Sequence, residues 1–104
     1  MQLKNWKSVA KYIACYDDPV LLEAQRMTNH LFRRNSYGVD TLPLKTALRN
    51  DSEQLGPDWQ RECYCNARIV QAIEHYEDEY HRDALEILIP AMIVRSSAWE
   101  KTFC

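Results

Sequence analysis

Two cysteines and two histidines in the second half of the chain have the side chains best suited to bind a metal. Cys63 and Cys65 offer thiolates and His75 and His81 offer imidazoles, which are ligand types that zinc prefers. Their spacing argues against a shared ion, because residues two apart on a helix point about 200° apart. Structural zinc sites also place their cysteines in a turn, and no turn signal is found here. The sequence therefore predicts neither a metal nor a cofactor.

A second cluster with ligand chemistry surrounds His81. Glu77 and His81 are four residues apart and could contact one ion on a helix. Helical di-iron sites need Glu-x-x-His motifs on two helices, with every ligand facing inward. This chain has one Asp78-x-x-His81 pair, and Asp78 faces outward on the predicted helix. The pattern favours a solvated acidic face.

Motifs for catalysis are missing from the sequence. It contains no glycine-rich phosphate loop, no nucleophile elbow and no His-Glu-x-x-His motif. Cys15 and His30 could meet in space, but any protein with four cysteines offers such pairs. With only two glycines, the chain has little of the loop material that usually carries active sites. We expect a protein that is not an enzyme.

Basic and amide side chains form two stripes in the first third of the chain. The first stripe consists of Lys4, Lys7 and Lys11, and the second of Arg26, Asn29, His30, Arg33 and Arg34. Lysines suit phosphates, and arginine and asparagine are side chains that read base edges. The pI of about 5.9 is low for a nucleic-acid-binding domain. Both stripes are candidate surfaces for a protein partner or a nucleic acid.

An acidic stretch lies further along the chain. Residues 74–86 contain six carboxylates and one arginine. The carboxylates assigned to an acidic interaction face are Glu74, Asp78 and Glu79. This face could dock on a basic surface of the same molecule, of a second copy or of another protein. Tyr76 and Tyr80 flank it as candidate interface anchors, although their helical phase favours burial.

The two halves of the chain carry opposite net charges. Residues 1–50 contain eight Lys or Arg and four Asp or Glu, a net charge of +4, whereas residues 51–104 contain five and eleven, a net charge of −6. Segregated charges steer encounters between molecules. We therefore expect a small non-catalytic regulator or inhibitor that binds a protein through its charged helix faces. The alternative is a nucleic-acid-binding regulator that uses the two basic stripes, and a homodimer remains open.

The chain has no predicted export signal or membrane segment. Lys4, Lys7 and Lys11 interrupt any apolar run near the start. The longest apolar stretch, Ala84–Val94, contains Glu86 and is too short to cross a bilayer. We expect a cytoplasmic protein with reduced cysteines and no membrane partner.

The elements that position these residues are predicted to be helices. Prolines precede apolar residues with helical spacing, and strand-like alternation is scarce. The predicted helices cover residues 3–16, 19–34, 43–50 and 57–81, the second of them capped by Asp18. The residues predicted to be buried on the long helix are Trp59, Cys63, Ile69, Val70, Ile73, Tyr76 and Tyr80.

The last segment has a mixed pattern. Asp83 and Glu86 resemble a capping box ahead of an apolar run, which predicts a helix over residues 84–95, kinked at Pro90. Its β-branched residues would also suit a short strand. The 104 residues together predict a single all-α domain, a compact bundle of four or five helices.

Overall fold

A computed structural model of the chain describes residues 17–32, 38–54 and 59–103, with side chains as far as residue 96. These segments contain four helices and no strand. The helices are α1 (Pro19–Leu31), α2 (Leu42–Ser52), α3 (Trp59–Glu77) and α4 (His81–Phe103). The predicted all-α bundle is confirmed. The helix predicted over residues 3–16 lies outside the described residues.

Helix α1 begins as the sequence predicts. Asp18 has an extended backbone, and its Oδ1 accepts a hydrogen bond of 3.0 Å from the N–H of Val20. Pro19 occupies the first helical turn, where its missing N–H has no partner to lose. The helix ends at Leu31, three residues before the predicted end. Its predicted buried stripe is confirmed at Val20, Ala24, Met27 and Leu31.

Helix α4 lies at the centre of the core. It packs along α3 and also against α1, while α2 packs against α1. A helix that contacts neighbours on several sides needs apolar residues around much of its circumference, as residues 84–93 have. The largest fully buried apolar side chains are Leu21, Leu44, Ile69, Leu88, Ile89 and Met92.

The last segment is helical throughout. Helix α4 begins at His81 and continues past Pro90, so the alternative of a short strand over residues 84–95 is wrong. The capping box is also wrong, because Asp83 lies within the first turn and not at its cap. There its carboxylate suits the positive end of the helix dipole. Pro90 cannot donate a backbone hydrogen bond, and burial of the apolar residues on either side of it offsets the free-energy cost of that missing bond.

The buried face of α3 differs from the predicted one. Ile69, Ile73 and Tyr76 are buried as expected, but four residues predicted to be buried are exposed instead. These exposed residues are Trp59, Cys63, Val70 and Tyr80. The helix carries apolar residues on two faces, and α4 packs on the face that includes Cys65 and Ala72. A helical wheel of α3 alone cannot show which of the two faces meets α4.

Helix α3 ends four residues before the predicted end, in a tight turn. The Tyr80 N–H donates to the His75 carbonyl (2.8 Å), and the Glu79 N–H donates to the Tyr76 carbonyl (2.9 Å). This is the Schellman pattern, in which one residue adopts a left-handed conformation. That residue is Glu79, with φ of 71°, at a position where glycine is usually found.

Replacing Glu79 with glycine should therefore stabilise the fold. Relief of the left-handed strain outweighs the entropy that glycine adds to the unfolded chain, for a net gain of about 0.5–1 kcal/mol in urea unfolding. Glu53 provides a matched control, because it caps α2 with φ of −87°. Glu53→Gly should lower the free energy of unfolding, since it relieves no strain. Equal effects of the two substitutions would contradict the interpretation.

Candidate functional site

Three residues of the second basic stripe lie together on the outer side of α1. Arg26 and Asn29 are exposed and His30 is half-buried. Arg26 forms an ion pair of 3.4 Å with Glu23, so part of the positive charge of this stripe is neutralised. The other stripe residues, Lys4, Lys7, Lys11, Arg33 and Arg34, lie outside the described residues.

The acidic interaction face lies at the end of the bundle where α3 turns into α4. Glu74 is exposed on the last turns of α3, and Asp78 and Glu79 are exposed in the turn that follows. Within the described residues these three carboxylates form no ion pair. Tyr80, which follows them, has 59% of its surface exposed, and its ring is nearly perpendicular to the His75 ring at a centroid distance of 6.3 Å. An exposed aromatic residue thus follows directly after carboxylates that have no ion pair among the described residues.

Carboxylates beside this face are paired within the chain. Glu77 Oε1 lies 2.6 Å from Lys45 Nζ on α2 and also accepts a hydrogen bond from Thr41. On α4, Glu86 pairs with Arg82 at 3.3 Å. The acidic stretch therefore contains carboxylates that pair with basic side chains of the same chain and carboxylates that have no ion pair among the described residues.

A buried arginine forms the most extensive polar cluster in the described residues. Arg95, on α4, is 4% exposed and lies between Asp18 before α1 and Asp51 near the end of α2. Its Nε and Nη2 donate to the two Asp18 oxygens at 2.7 and 3.1 Å. Its Nη2 and Nη1 donate to the two Asp51 oxygens at 2.8 and 3.2 Å.

Asn66 on α3 completes this cluster. Its side-chain oxygen accepts from Arg95 Nη1 at 3.0 Å, and its Nδ2 donates to Asp51 Oδ2 at 2.7 Å. Arginine has five N–H donors, and this arrangement uses all of them. The Arg95 cluster, defined as Asp18, Asp51, Asn66 and Arg95, thus joins α4 to α2, α3 and the start of α1.

The cluster stabilises the charged forms of Arg95 and Asp51, as the directions of their pKa shifts indicate. Burial acts to lower the pKa of Arg95, but hydrogen bonds and charges from Asp51 and Asp18 outweigh it and raise the pKa above its usual value. Burial likewise acts to raise the pKa of Asp51. Hydrogen bonds from Arg95 and Asn66, together with the charge of Arg95, outweigh it and lower the pKa below its ordinary value of 3.8. With every donor used and two carboxylates paired, this arrangement positions helices.

Sequence reasoning missed the Arg95 cluster. One available signal was Arg95 itself, which follows Leu88 and Met92 at helical spacing and therefore belongs to a buried stripe. A buried arginine requires acidic partners. Its partners are 77 and 44 residues away along the chain, so no local pattern identifies them.

An open groove lies between α2 and α3. It has a volume of about 380 Å³ and is lined by Lys45, Leu48, Arg49, Ser52, Cys63, Asn66, Ala67 and Val70. The Lys45–Glu77 ion pair joins the two helices at one end, and the Asp51–Asn66 hydrogen bond joins them at the other. Between these links the helices are far enough apart to leave the apolar floor accessible.

The residues considered for metal binding do not form a site in the described part of the chain. Cys63 is exposed and lines the groove, whereas Cys65 is buried on the opposite side of α3. Among the described residues, no three His, Cys, Asp or Glu side chains are grouped so that they could hold a metal ion. None of the described helices combines the length and the apolar character needed to cross a membrane.

Comparison of the chain with protein-family models, curated proteins and solved structures found no match. The surfaces described above therefore provide the basis for a proposed function.

Proposed function

We propose that the chain is a small non-catalytic regulator that binds a basic surface of another protein through its acidic interaction face. The observation that supports this proposal most directly is the placement of Glu74, Asp78 and Glu79. They lie at one end of the bundle and have no ion-pair partner among the described residues. Three like charges at one end repel each other, and a basic partner surface would relieve that repulsion.

The backbone at Glu79 adds independent support. A non-glycine residue with φ of 71° costs about 1–3 kcal/mol, and glycine would avoid that cost. Strained conformations of this kind cluster at functional positions, where the side chain contributes something other than stability. A carboxylate retained at the tip of the turn fits an interaction surface.

Tyr80 supplies the apolar contact that a charged surface lacks. Its ring is 59% exposed beside the three carboxylates. Tyrosine is enriched among the residues that dominate binding energy at protein interfaces, and charges around it would steer the approach of the partner. The exposed ring therefore favours a protein partner over a partner that would bind through charge alone.

The proposal can be tested by capture from a lysate of the native host. The immobilised chain is compared with the variant Glu74→Gln, Asp78→Asn, Glu79→Gln, which removes three negative charges. A control removes three exposed or half-buried charges away from this face through Asp17→Asn, Glu53→Gln and Glu62→Gln. We expect a basic protein to be captured by the unmodified chain and by the control, and to bind the acidic-face variant about tenfold more weakly at low salt.

The outcomes separate the proposal from its alternative. The difference should shrink at physiological ionic strength, where the Debye length is about 8 Å. Retention of the chain on DNA at low salt, with a steep loss on adding salt, would support the nucleic-acid-binding regulator instead. Equal capture by both variants would show that the acidic face takes no part in binding.

A further inference from the structure

The groove between α2 and α3 extends along about two turns of α2. The α2 residues that line it run from Lys45 to Ser52, which is about 10 Å, or two helical turns. Its floor is formed by Leu48 from α2 and by Ala67 and Val70 from α3. Val70 remains 42% exposed although it is apolar.

The charge of the groove is asymmetric. Lys45 is neutralised by Glu77 at one end. Arg49, one turn further along α2, is exposed, and its guanidinium has no partner among the described residues. The groove thus combines an apolar floor with one uncompensated positive charge on its wall. An occupant that is complementary to it carries apolar side chains on one face and a carboxylate beside them.

We propose that this groove is a docking site for an amphipathic helix of a partner protein. Side chains spaced i, i+4 and i+7 would cover Ala67 and Val70, and a carboxylate of the same helix would pair with Arg49. The groove ends at the Lys45–Glu77 ion pair, next to the acidic interaction face, but none of the residues that line it belongs to that face. It is thus a second binding surface, beyond the function proposed above.

Selection from a displayed peptide library tests the proposal. The probe is a pool of helix-forming peptides with leucine fixed at i, i+4 and i+7 and the flanking positions randomised. On the unmodified chain we expect one flanking position to be enriched in Asp or Glu by about two- to fivefold, the affinity factor of an exposed ion pair. Arg49→Glu should shift that position to Lys or Arg. The control Arg82→Glu, an exposed change on α4, should leave the preference unchanged.

Blocking the groove provides a second readout. Ala67→Trp should remove the enrichment, and its melting temperature verifies that the variant is folded. Cys63 lies in the groove, so selected peptides should slow its labelling by a maleimide, measured by peptide mass mapping. The acidic-face variant should select the same peptides as the unmodified chain, so failure here leaves the function proposed above standing.

Three results would overturn the proposal. The first is the lack of a carboxylate preference, or a preference that Arg49→Glu does not change. The second is enrichment that persists in folded Ala67→Trp protein. The third is protection of Cys63 that rises with protein concentration alone or with added DNA, which would assign the groove to a second copy or to a nucleic acid.

Discussion

Replacing Arg95 with methionine should destabilise the protein by about 3–5 kcal/mol. The substitution keeps the long apolar stem of the side chain but leaves Asp18 and Asp51 without their cation in a largely buried position. The loss is measured by urea denaturation. Arg82→Met on the same helix is the matched control, because the Arg82–Glu86 pair is exposed and contributes at most about 1 kcal/mol. A loss below about 1 kcal/mol for Arg95→Met would show that the cluster is not required for stability.

Removing the negative charges as well should restore much of this stability. In the variant Arg95→Met, Asp18→Asn, Asp51→Asn no charge of the cluster is left without a partner. The amide oxygen introduced at position 18 would still cap α1, because asparagine is as good an N-cap as aspartate. Replacing a buried ion pair by neutral groups is often far less costly than breaking it. The triple variant should therefore be more stable than Arg95→Met alone.

The Asp51 carboxylate of the same cluster makes stability depend on pH in the acid range. The pKa of Asp51 in the folded protein is lowered below the ordinary value of 3.8. The contribution of its carboxylate is therefore fully present above the unfolded pKa and is lost as the pH falls through the folded pKa. Asp51→Asn should flatten this part of the dependence of unfolding free energy on pH.

Replacing Ile73 with alanine should cost about 2–5 kcal/mol. Ile73 is 3% exposed and faces the core from α3, so truncation removes buried methyl groups and leaves a cavity. Val70 is the matched control, because it is β-branched, lies one turn away and is 42% exposed. Val70→Ala should cost less than about 1 kcal/mol in the same urea titration.

The comparison of these two residues also tests the orientation of α3. A larger loss at Val70 than at Ile73 would favour the helix phase that turns Val70, Cys63 and Trp59 inward. The observed phase exposes all three. It leaves Cys63 and Val70 in the groove, so the proposed docking site depends on the same orientation.

Features encoded within a few residues could be predicted from the sequence. Asp18 followed by Pro19 specifies the start of α1, and the apolar spacing of Val20, Ala24, Met27 and Leu31 specifies its buried face. These signals depend on local hydrogen bonds and helical geometry. The sequence placed Asp78 and Glu79 on the outer face of a helix that continued to residue 81, whereas the structure places both in the turn after Glu77.

Features that depend on packing between helices could not be predicted. Helix α3 has apolar residues on two faces, and only the position of α4 decides that Ile69 is buried while Val70 is exposed. The groove requires the separation between α2 and α3, which no single helix contains. Pairing of Arg95 with Asp18 joins residues 77 positions apart and needs the complete bundle.

That separation has a consequence for the order of folding. A contact between Asp18 and Arg95 closes a chain loop of 77 residues. Closing this loop lowers the entropy of the chain before the hydrogen bonds of the cluster can form. Helices α1 and α2 can form from local contacts, while Asp18 and Asp51 still interact with water. We therefore expect the cluster to assemble after the folding transition state, so that losing Arg95 accelerates unfolding and leaves the refolding rate nearly unchanged. Arg95 therefore contributes to kinetic stability, because it slows the unfolding of the folded bundle.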